Sequence, residues 1–375
     1  MRFLSLIFKN LTRRPMRTAL TLLAFATAIA AVVSLLGIAK GFTKSFADVY
    51  ESHSVDVVVS RQGTADRLSS SIDETFTAQI AELPGVTQAA SVLLETMSLE
   101  ENEIYGVPAM GIADGSWLLD DYKMQSQIEF DATKTKRVLL GLNLAQRVGA
   151  KAGDSVSIFE EPYLIAGVFE SQSTWENGSM IFPLRELQSL TDRDGQATYI
   201  NVVLKKPVGA DQARAAVDRI AALDAKLHAL TTDDFVETDT RMQLASAMAW
   251  MTSMIALVIG AIGTLNTMMT SVLERTREIG ILRAMGWPRR RVVSMICLES
   301  VVLAIAASAV GSVLAMLLTK LLSQSSATRG ILTPSIDTSV LIQGALIGLV
   351  IGILGALLPA WRASKMLPTE AFREG

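Results

Sequence analysis

Four stretches of this chain are apolar for long enough to cross a bilayer, and that leaves few architectures open. They run from Thr18 to Ala39, Leu244 to Thr270, Val292 to Thr319 and Thr338 to Ala360. Three carry no charged residue, and the third stretch carries only Glu299. A helix needs about 20 apolar residues to cross about 30 Å of hydrocarbon, and each stretch meets that length. The first follows Arg13, Arg14 and Arg17 and could be mistaken for a signal peptide. Its apolar core is too long and continues into Lys40 with no clear cleavage site, so it reads as a retained anchor.

Charge sets the expected orientation. Residues 1–17, 271–291 and 361–375 hold 14 Lys and Arg against 4 acidic residues, whereas residues 40–243 hold 18 against 31. An excess of Lys and Arg beside membrane spans marks the cytoplasmic side, so both chain ends and the short loop are expected inside and the large segment outside. The net charge of −3 conceals this split, and no nucleic-acid partner is expected. The single Cys297 falls in the third span, so the external segment has no disulfide; its roughly 200 residues can bury a core without one. His53 and His228 are far apart, and no Cys/His cluster has zinc-ligand spacing, so no metal is expected. The sequence contains no G-x-x-x-x-G-K-[ST] phosphate loop, so this chain is not expected to hydrolyse ATP by itself.

The loop from Ser271 to Val292 is the most function-laden segment. It holds six Arg and two Glu around an amphipathic run of Ile279, Ile281, Leu282 and Met285. Glu274, Arg277, Glu278 and Ile281 are three or four apart, so they form one stripe of a short helix, expected over residues 273–287, that Gly286 and Pro288 end. Such a helix is suited to docking a cytoplasmic protein, with Arg283 and Met285 adding to its surface. The plainer reading is a solvated basic loop that only obeys the charge rule for spans.

The remaining segments give an outline. Residues 1–40 are expected to form an amphipathic interfacial helix, with Phe3, Leu4, Ile7, Phe8 and Leu11 on one face, followed by the first span. Residues 41–240 are expected to form an α+β extracytoplasmic domain inserted between helices 1 and 2. In it, a strand at Val55–Val59, a helix near Ile72–Leu83 and a strand from Val86 make one unit. A strand at Tyr199–Leu204, a helix near Asp211–Leu227 and a short extended piece before Thr231 make another, and a β-rich insert from about Glu103 to Ala197 lies between them. Residues 241–375 hold the other three spans. Gly344, Gly348 and Gly352 recur every four residues, and with Ser308, Gly311, Ser312 and Ala315 they predict close packing of span four on span three. Glu299, an intramembrane carboxylate, is expected to be paired or turned inward. Met248, Met251 and Met254 read as packing residues.

Taken in order, these parts resemble a known family. One span, a large external domain and three spans with an E-R-T-R-E-I-G-I-L-R-A-M-G loop (Glu274 to Gly286) form the layout of FtsX-like permeases, the membrane subunits of MacB-type (type VII) ABC transporters. RRPMRT (Arg13 to Thr18) resembles that family's entry to its first span, and PAWRASKMLPTEAFR (Pro359 to Arg373) its closing motif. LLGLNLAQRVGAKAGDSVSI (Leu139 to Ile158) with YLIAGVF (Tyr163 to Phe169) is similar to its β-rich subdomain. The resemblance implies a non-catalytic permease of the bacterial cytoplasmic membrane that pairs with a second permease chain and with a cytoplasmic ABC ATPase. ATP and Mg would be bound by that ATPase, docked on the coupling helix. The implied mechanism is mechanotransmission, in which ATP-driven closure of the ATPases is passed through the spans to the external domains, with membrane lipids and a periplasmic adaptor as further partners. Export or extraction of a hydrophobic or amphipathic substrate is one implied outcome; regulation of an external cell-wall hydrolase is the other. An enzyme is poorly supported, because Glu100, Glu101 and Glu103 cluster without a paired His.

Overall fold

In the computed structural model, residues 15–64, 70–128, 136–324 and 334–366 are described. The expected amphipathic helix over the first eleven residues lies outside them. The chain divides into two compact units. One holds the chain up to Lys40, Ala245–Leu322 and the chain from Pro334 onward; the other holds Gly41–Leu244. Helix α1 (Pro15–Ser52) begins in the first unit and ends in the second without a break in its hydrogen bonding.

The external unit takes its shape from strands whose side chains alternate between two cores. After α1 come β1 (Val57–Arg61), β2 (Ile72–Asp73), α2 (Phe76–Ala81), β3 (Val86–Leu99), β4 (Ile104–Ile112), β5 (Lys123–Gln127), β6 (Arg137–Gly141), α3 (Leu142–Val148), β7 (Ser155–Ile158), β8 (Glu161–Glu170), α4 (Thr174–Asn177), β9 (Met180–Pro183) and α5 (Leu184–Leu190). β10 (Gln196–Ala197), β11 (Tyr199–Leu204), α6 (Ala210–Ala221), β12 (Leu227–Thr231) and α7 (Thr232–Glu237) complete it. Ten strands form one mixed sheet in the order β12-β1-β11-β3-β4-β9-β6-β8-β5, with β7 paired to β8. The β4–β9 and β6–β8 pairs are parallel and the others antiparallel.

Strand β1 is an apolar run buried on both faces, as a strand in mid-sheet must be. Val57 and Val59 join Ile80, Ile200 and Ile220 under α2 and α6, while Val58 joins Phe46, Val49, Tyr50 and Phe235 on the opposite face. The last turns of α1 are thus core elements of the external unit. The expected insert is β-rich, and among the described residues the structure adds to it three short α-helices and a 3-10 helix at Trp117–Leu119. Its core of Leu140, Leu144, Tyr163, Phe182 and Leu187 packs on the same continuous sheet, together with Leu93 and Met97 from β3.

The membrane unit completes its helices with α8 (Thr240–Glu274), α9 (Thr276–Ala284), α10 (Arg289–Gln324) and α11 (Thr338–Lys365). Helices α1, α8, α10 and α11 are each long and apolar enough to cross a membrane. Phe25, Ile29, Val32, Val33, Ala304, Ala307 and Ile351 form the bundle core. Small residues set the approach distances. A Cβ built on Gly352 would lie 3.0 Å from Ala304 Cβ on α10, and one on Gly348 would lie 2.7 Å from Ser308 Oγ and 2.8 Å from Ile29 Cδ1. Gly344 faces Val33 of α1, and Gly355 faces Thr264 of α8. Gly311 faces the Ala26 carbonyl oxygen of α1, 2.7 Å from its would-be Cβ. The glycine faces are therefore contact faces, but they divide among three neighbours; only Gly348 and Gly352 meet α10, and Gly311 serves α1. Lys40 Nζ donates to Asp337 Oδ2 at 2.7 Å, and Asp337 Oδ1 caps α11 by accepting from the Val340 amide.

Candidate functional site in the loop between the second and third spans

Helix α9 is a nine-residue segment set apart from both neighbours by local backbone geometry. Arg275 leaves the helical region (φ −107°, ψ 16°) and so separates α8 from α9. At the other end Gly286 adopts φ +90°, a left-handed conformation that L side chains rarely adopt. The Trp287 amide donates to the Leu282 carbonyl at 3.1 Å and the Gly286 amide to the Arg283 carbonyl at 3.0 Å. Together these are the paired bonds of a Schellman stop, and Pro288 then opens α10. The structure places the helix at Thr276–Ala284, shorter than the expected 273–287, so Glu274 belongs to the end of α8.

The inner face of α9 is apolar and tightly held. Ile279 and Gly280 are buried, and Ile279 packs with Val272, Val292, Met295, Ile296, Ala360 and Ala363; Leu282 and Trp287 close the same cluster. Arg275 Nη1 donates to both carboxylate oxygens of Glu299, at 3.0 and 3.2 Å. This pair, with side chains 18% and 8% exposed, ties the start of α9 to α10. Glu299 is thereby paired, as expected of a charge in a span. Arg291 stacks over the Trp287 ring at 4.5 Å, and Arg283 Nη1 donates to the Trp287 carbonyl at 2.9 Å.

What remains outward is the predicted stripe. Glu274, Arg277, Glu278, Ile281, Met285 and Gly286 are exposed, with Ile281 at 41% and Met285 at 64%. Arg283 is half-buried and spends one guanidinium nitrogen on the loop's own C-terminal end. Sequence reasoning missed Arg275 as the partner of Glu299, because 24 residues separate them. It also missed Ser300, whose hydroxyl donates to the Gly352 carbonyl at 2.7 Å and joins α10 to α11. A seated helix that shows acidic, basic and apolar side chains together can bind a protein groove in one register.

Breaking the seat should release α9. Truncating Glu299 to alanine strands Arg275 beside a span, and loss of one partner of a buried pair costs about 3 to 5 kcal/mol. The expected result is faster proteolysis within residues 275–291 of the purified Glu299→Ala protein, with little change when both Glu299 and Arg275 are replaced by leucine. Equal proteolysis of the single variant and the parent would show that the pair does not hold the helix.

Long apolar helices with an α/β domain between the first two and a seated helical loop between the second and third define a multi-pass membrane protein with a periplasmic or extracellular domain. Residues 18–220 match the MacB-like periplasmic core domain family and residues 250–368 match the FtsX-like permease C-terminal family. The chain belongs to this family of FtsX-like permeases with a MacB-like periplasmic core domain, and it is an ABC transporter permease of the MacB/FtsX type. It is 24% identical over 394 residues to the macrolide export ATP-binding/permease protein MacB of Nitrobacter winogradskyi, covering 98% of this chain and 59% of that protein. It is 25% identical over 388 residues to the ABC transporter permease YknZ of Bacillus subtilis, covering 96% and 95%. The chain thus spans about three fifths of the length of the MacB relatives it matches and nearly all of YknZ. The periplasmic region of MacB from Actinobacillus actinomycetemcomitans aligns with 50% of the chain at 13% identity and a TM-score of 0.38. The MacB relatives are named as joining an ATP-binding part to a permease, and YknZ as an ABC transporter permease.

Proposed function

We propose that the chain is a mechanotransmission subunit: a separate cytoplasmic ATPase docks on α9, and its ATP-driven closure is passed through the spans to the external domain. The observation that carries this reading is the construction of α9 itself. Its apolar face and the Arg275–Glu299 pair fix it to α10 and α11, while Arg277, Glu278, Ile281 and Met285 face outward, beside Glu274 at the end of α8. A push on the outer face must move the bundle, because the inner face is locked to it. Two continuous helices then carry the chain between the units, α1 at Lys40/Gly41 and α8 at Leu244/Ala245.

One feature supports movement of helices over passage of substrate between them. The buried hydroxyls of Ser253, Thr264, Ser308 and Thr319 each donate to the carbonyl four residues earlier on their own helix, so they are satisfied without a hydrated path. The output we propose is export or extraction of a hydrophobic or amphipathic substrate at the outer face of the bacterial cytoplasmic membrane. Two copies of the chain would work with two ATPases, and an external adaptor would extend the path. The MacB relatives, whose names join an ATP-binding part and a permease in one protein for macrolide export, support the pairing of this kind of permease with an ATPase.

Reconstitution tests the reading. The purified chain in nanodiscs should hydrolyse no ATP above an empty-disc control, and addition of an ABC ATPase encoded beside it should yield a stable complex with hydrolysis above that of the ATPase alone. Robust hydrolysis by the stringently purified chain, or an ATPase that neither binds nor responds, would overturn the assignment.

A further inference from the structure

The external unit contains a buried titratable cluster that plays no part in docking. His53 follows directly on the last turn of α1 and is 4% exposed. Its Nδ1 lies 2.9 Å from Asp121 Oδ2 and its Nε2 lies 3.1 Å from Glu176 Oε1. Glu176 sits on α4 and is 1% exposed, whereas the Asp121 side chain, in the turn before β5, is 44% exposed. The remaining donors to Glu176 are Tyr122 Oη at 2.8 Å and Ser171 Oγ. Around them stand the Trp117 and Tyr122 rings, 6.5 and 5.1 Å from the imidazole. The charges of Glu176 and Arg241 also act on Tyr199 of β11, and Glu51 is the nearest acid on α1 in sequence.

Donor counting decides the protonation state this geometry needs. A neutral imidazole has one N–H donor and one acceptor, and an ionised carboxylate only accepts. Both ring nitrogens here face carboxylates, so only the imidazolium can make both bonds. The position suits a cation, because the carbonyl end of a helix attracts positive charge. Burial alone would lower the His53 pKa, but hydrogen bonds and charge from Glu176 and then Asp121 outweigh it, and the net shift is upward.

We propose that His53, Asp121 and Glu176 form a proton-operated latch by which external pH controls how firmly the outer end of α1 is held to the external domain. Below the midpoint, the imidazolium holds α4 and the 120–122 turn at once. Loss of the Nδ1 proton leaves Nε2–H donating to the buried Glu176, and Asp121, which already reaches water, is the partner let go. The other ties of α1 to α4 do not titrate: Ser173 Oγ donates to the Ser45 carbonyl at 2.7 Å, and the Trp175 amide donates to Ser45 Oγ at 3.1 Å. The latch therefore loosens one edge and leaves α1 seated. A folded-state pKa above the unfolded value of about 6.5 means that His53 contributes its full stabilisation below about pH 6.5 and loses it as pH rises through the folded value.

The full chain in nanodiscs with 15N-labelled histidine tests this. The sequence holds two histidines, and His228→Gln assigns their signals. The expected result is that His53 titrates with a midpoint above 6.5 and that Asp121→Asn lowers it. Amides of residues 117–127 should exchange more slowly below the midpoint than above it, after correction for intrinsic rates, and His53→Gln should abolish that step. A His53 midpoint at or below 6.5, or one unmoved by Asp121→Asn, overturns the latch; Asp121 is exposed enough that its variant should fold even if Glu176→Gln does not. The consequence for coupling rests on the mechanotransmission reading, but neither readout uses an ATPase, so failure of docking and failure of the latch are separate results.

Discussion

Leucine at position 311 should disrupt the membrane bundle. Gly311 faces backbone, with the Ala26 carbonyl oxygen 2.7 Å from where a Cβ would stand and Ile29 Cβ 3.0 Å away. Neither atom can rotate clear, so α10 must move off α1. Overpacking a filled core costs about 1 to 3 kcal/mol even where side chains can adjust, and here a backbone atom is in the way, so the upper end or more is expected. Gly348→Ala should be milder, because the atoms it meets are the Ile29 Cδ1 tip and the Ser308 hydroxyl. In detergent, Gly311→Leu should lower the apparent melting midpoint by roughly 5 °C or more and depress the yield of monodisperse protein. Gly348→Ala should stay near the parent. Equal stability of Gly311→Leu and the parent would mean that α1 and α10 do not meet at this point.

The second large effect concerns Glu278. Its side chain is exposed on α9, one turn from Ile281 and beside Arg277. Reversal to lysine should leave the bundle intact, since the inward residues Ile279, Leu282 and Trp287 are untouched. Contact with an ATPase groove shaped for a carboxylate should suffer. Breaking one desolvated charge pair at an interface costs about 2 to 5 kcal/mol, which is a loss of affinity of about thirtyfold to about four-thousandfold. Co-purification and stimulated hydrolysis should both fall for Glu278→Lys, while Asp218→Lys, on the exposed face of α6, should match the parent.

Much of this architecture was legible because hydropathy is a local signal. The expected spans Thr18–Ala39, Leu244–Thr270, Val292–Thr319 and Thr338–Ala360 all lie inside observed helices. The extra length of α1 was not legible. Beyond Lys40 the helix is amphipathic, and Phe46, Val49 and Tyr50 are explained by a sheet formed far along the chain. Non-local pairing also explains why two expected helices are shorter than read, at Phe76–Ala81 and Ala210–Ala221. Ile72 and Asp73, read as helix, pair with Ala197 and Gln196, and Asp73 turns the chain by accepting from the Thr75 amide. Leu227, read as the end of a helix, pairs with Arg61 across β1 and β12.

At the loop, spacing gave the outward Arg277, Glu278 and Ile281 of α9 and its glycine stop, since both are set within one helix; Glu274, expected in the same stripe, ends α8. It did not give the inward lock. Arg275 read as one cation among six, and its bond to Glu299 exists only once α10 folds back beside it. The same limit governed the bundle glycines. A period of four residues defines a face, but the neighbour on that face depends on how the helices are arranged, so Gly311 was assigned to span four and serves span one.

Whether ATP binding on one side moves the domain on the other is tested by distance measurement. Spin labels at Tyr105→Cys, exposed at the start of β4, in a Cys297→Ser background would report the separation of two external domains in a complex that carries two copies of the chain and the ATPase. Addition of a non-hydrolysable ATP analogue should produce a second distance population in the parent and none in Glu278→Lys. A single distribution that ignores nucleotide, in a parent complex whose ATPase is fully stimulated, would contradict mechanical transmission through this chain.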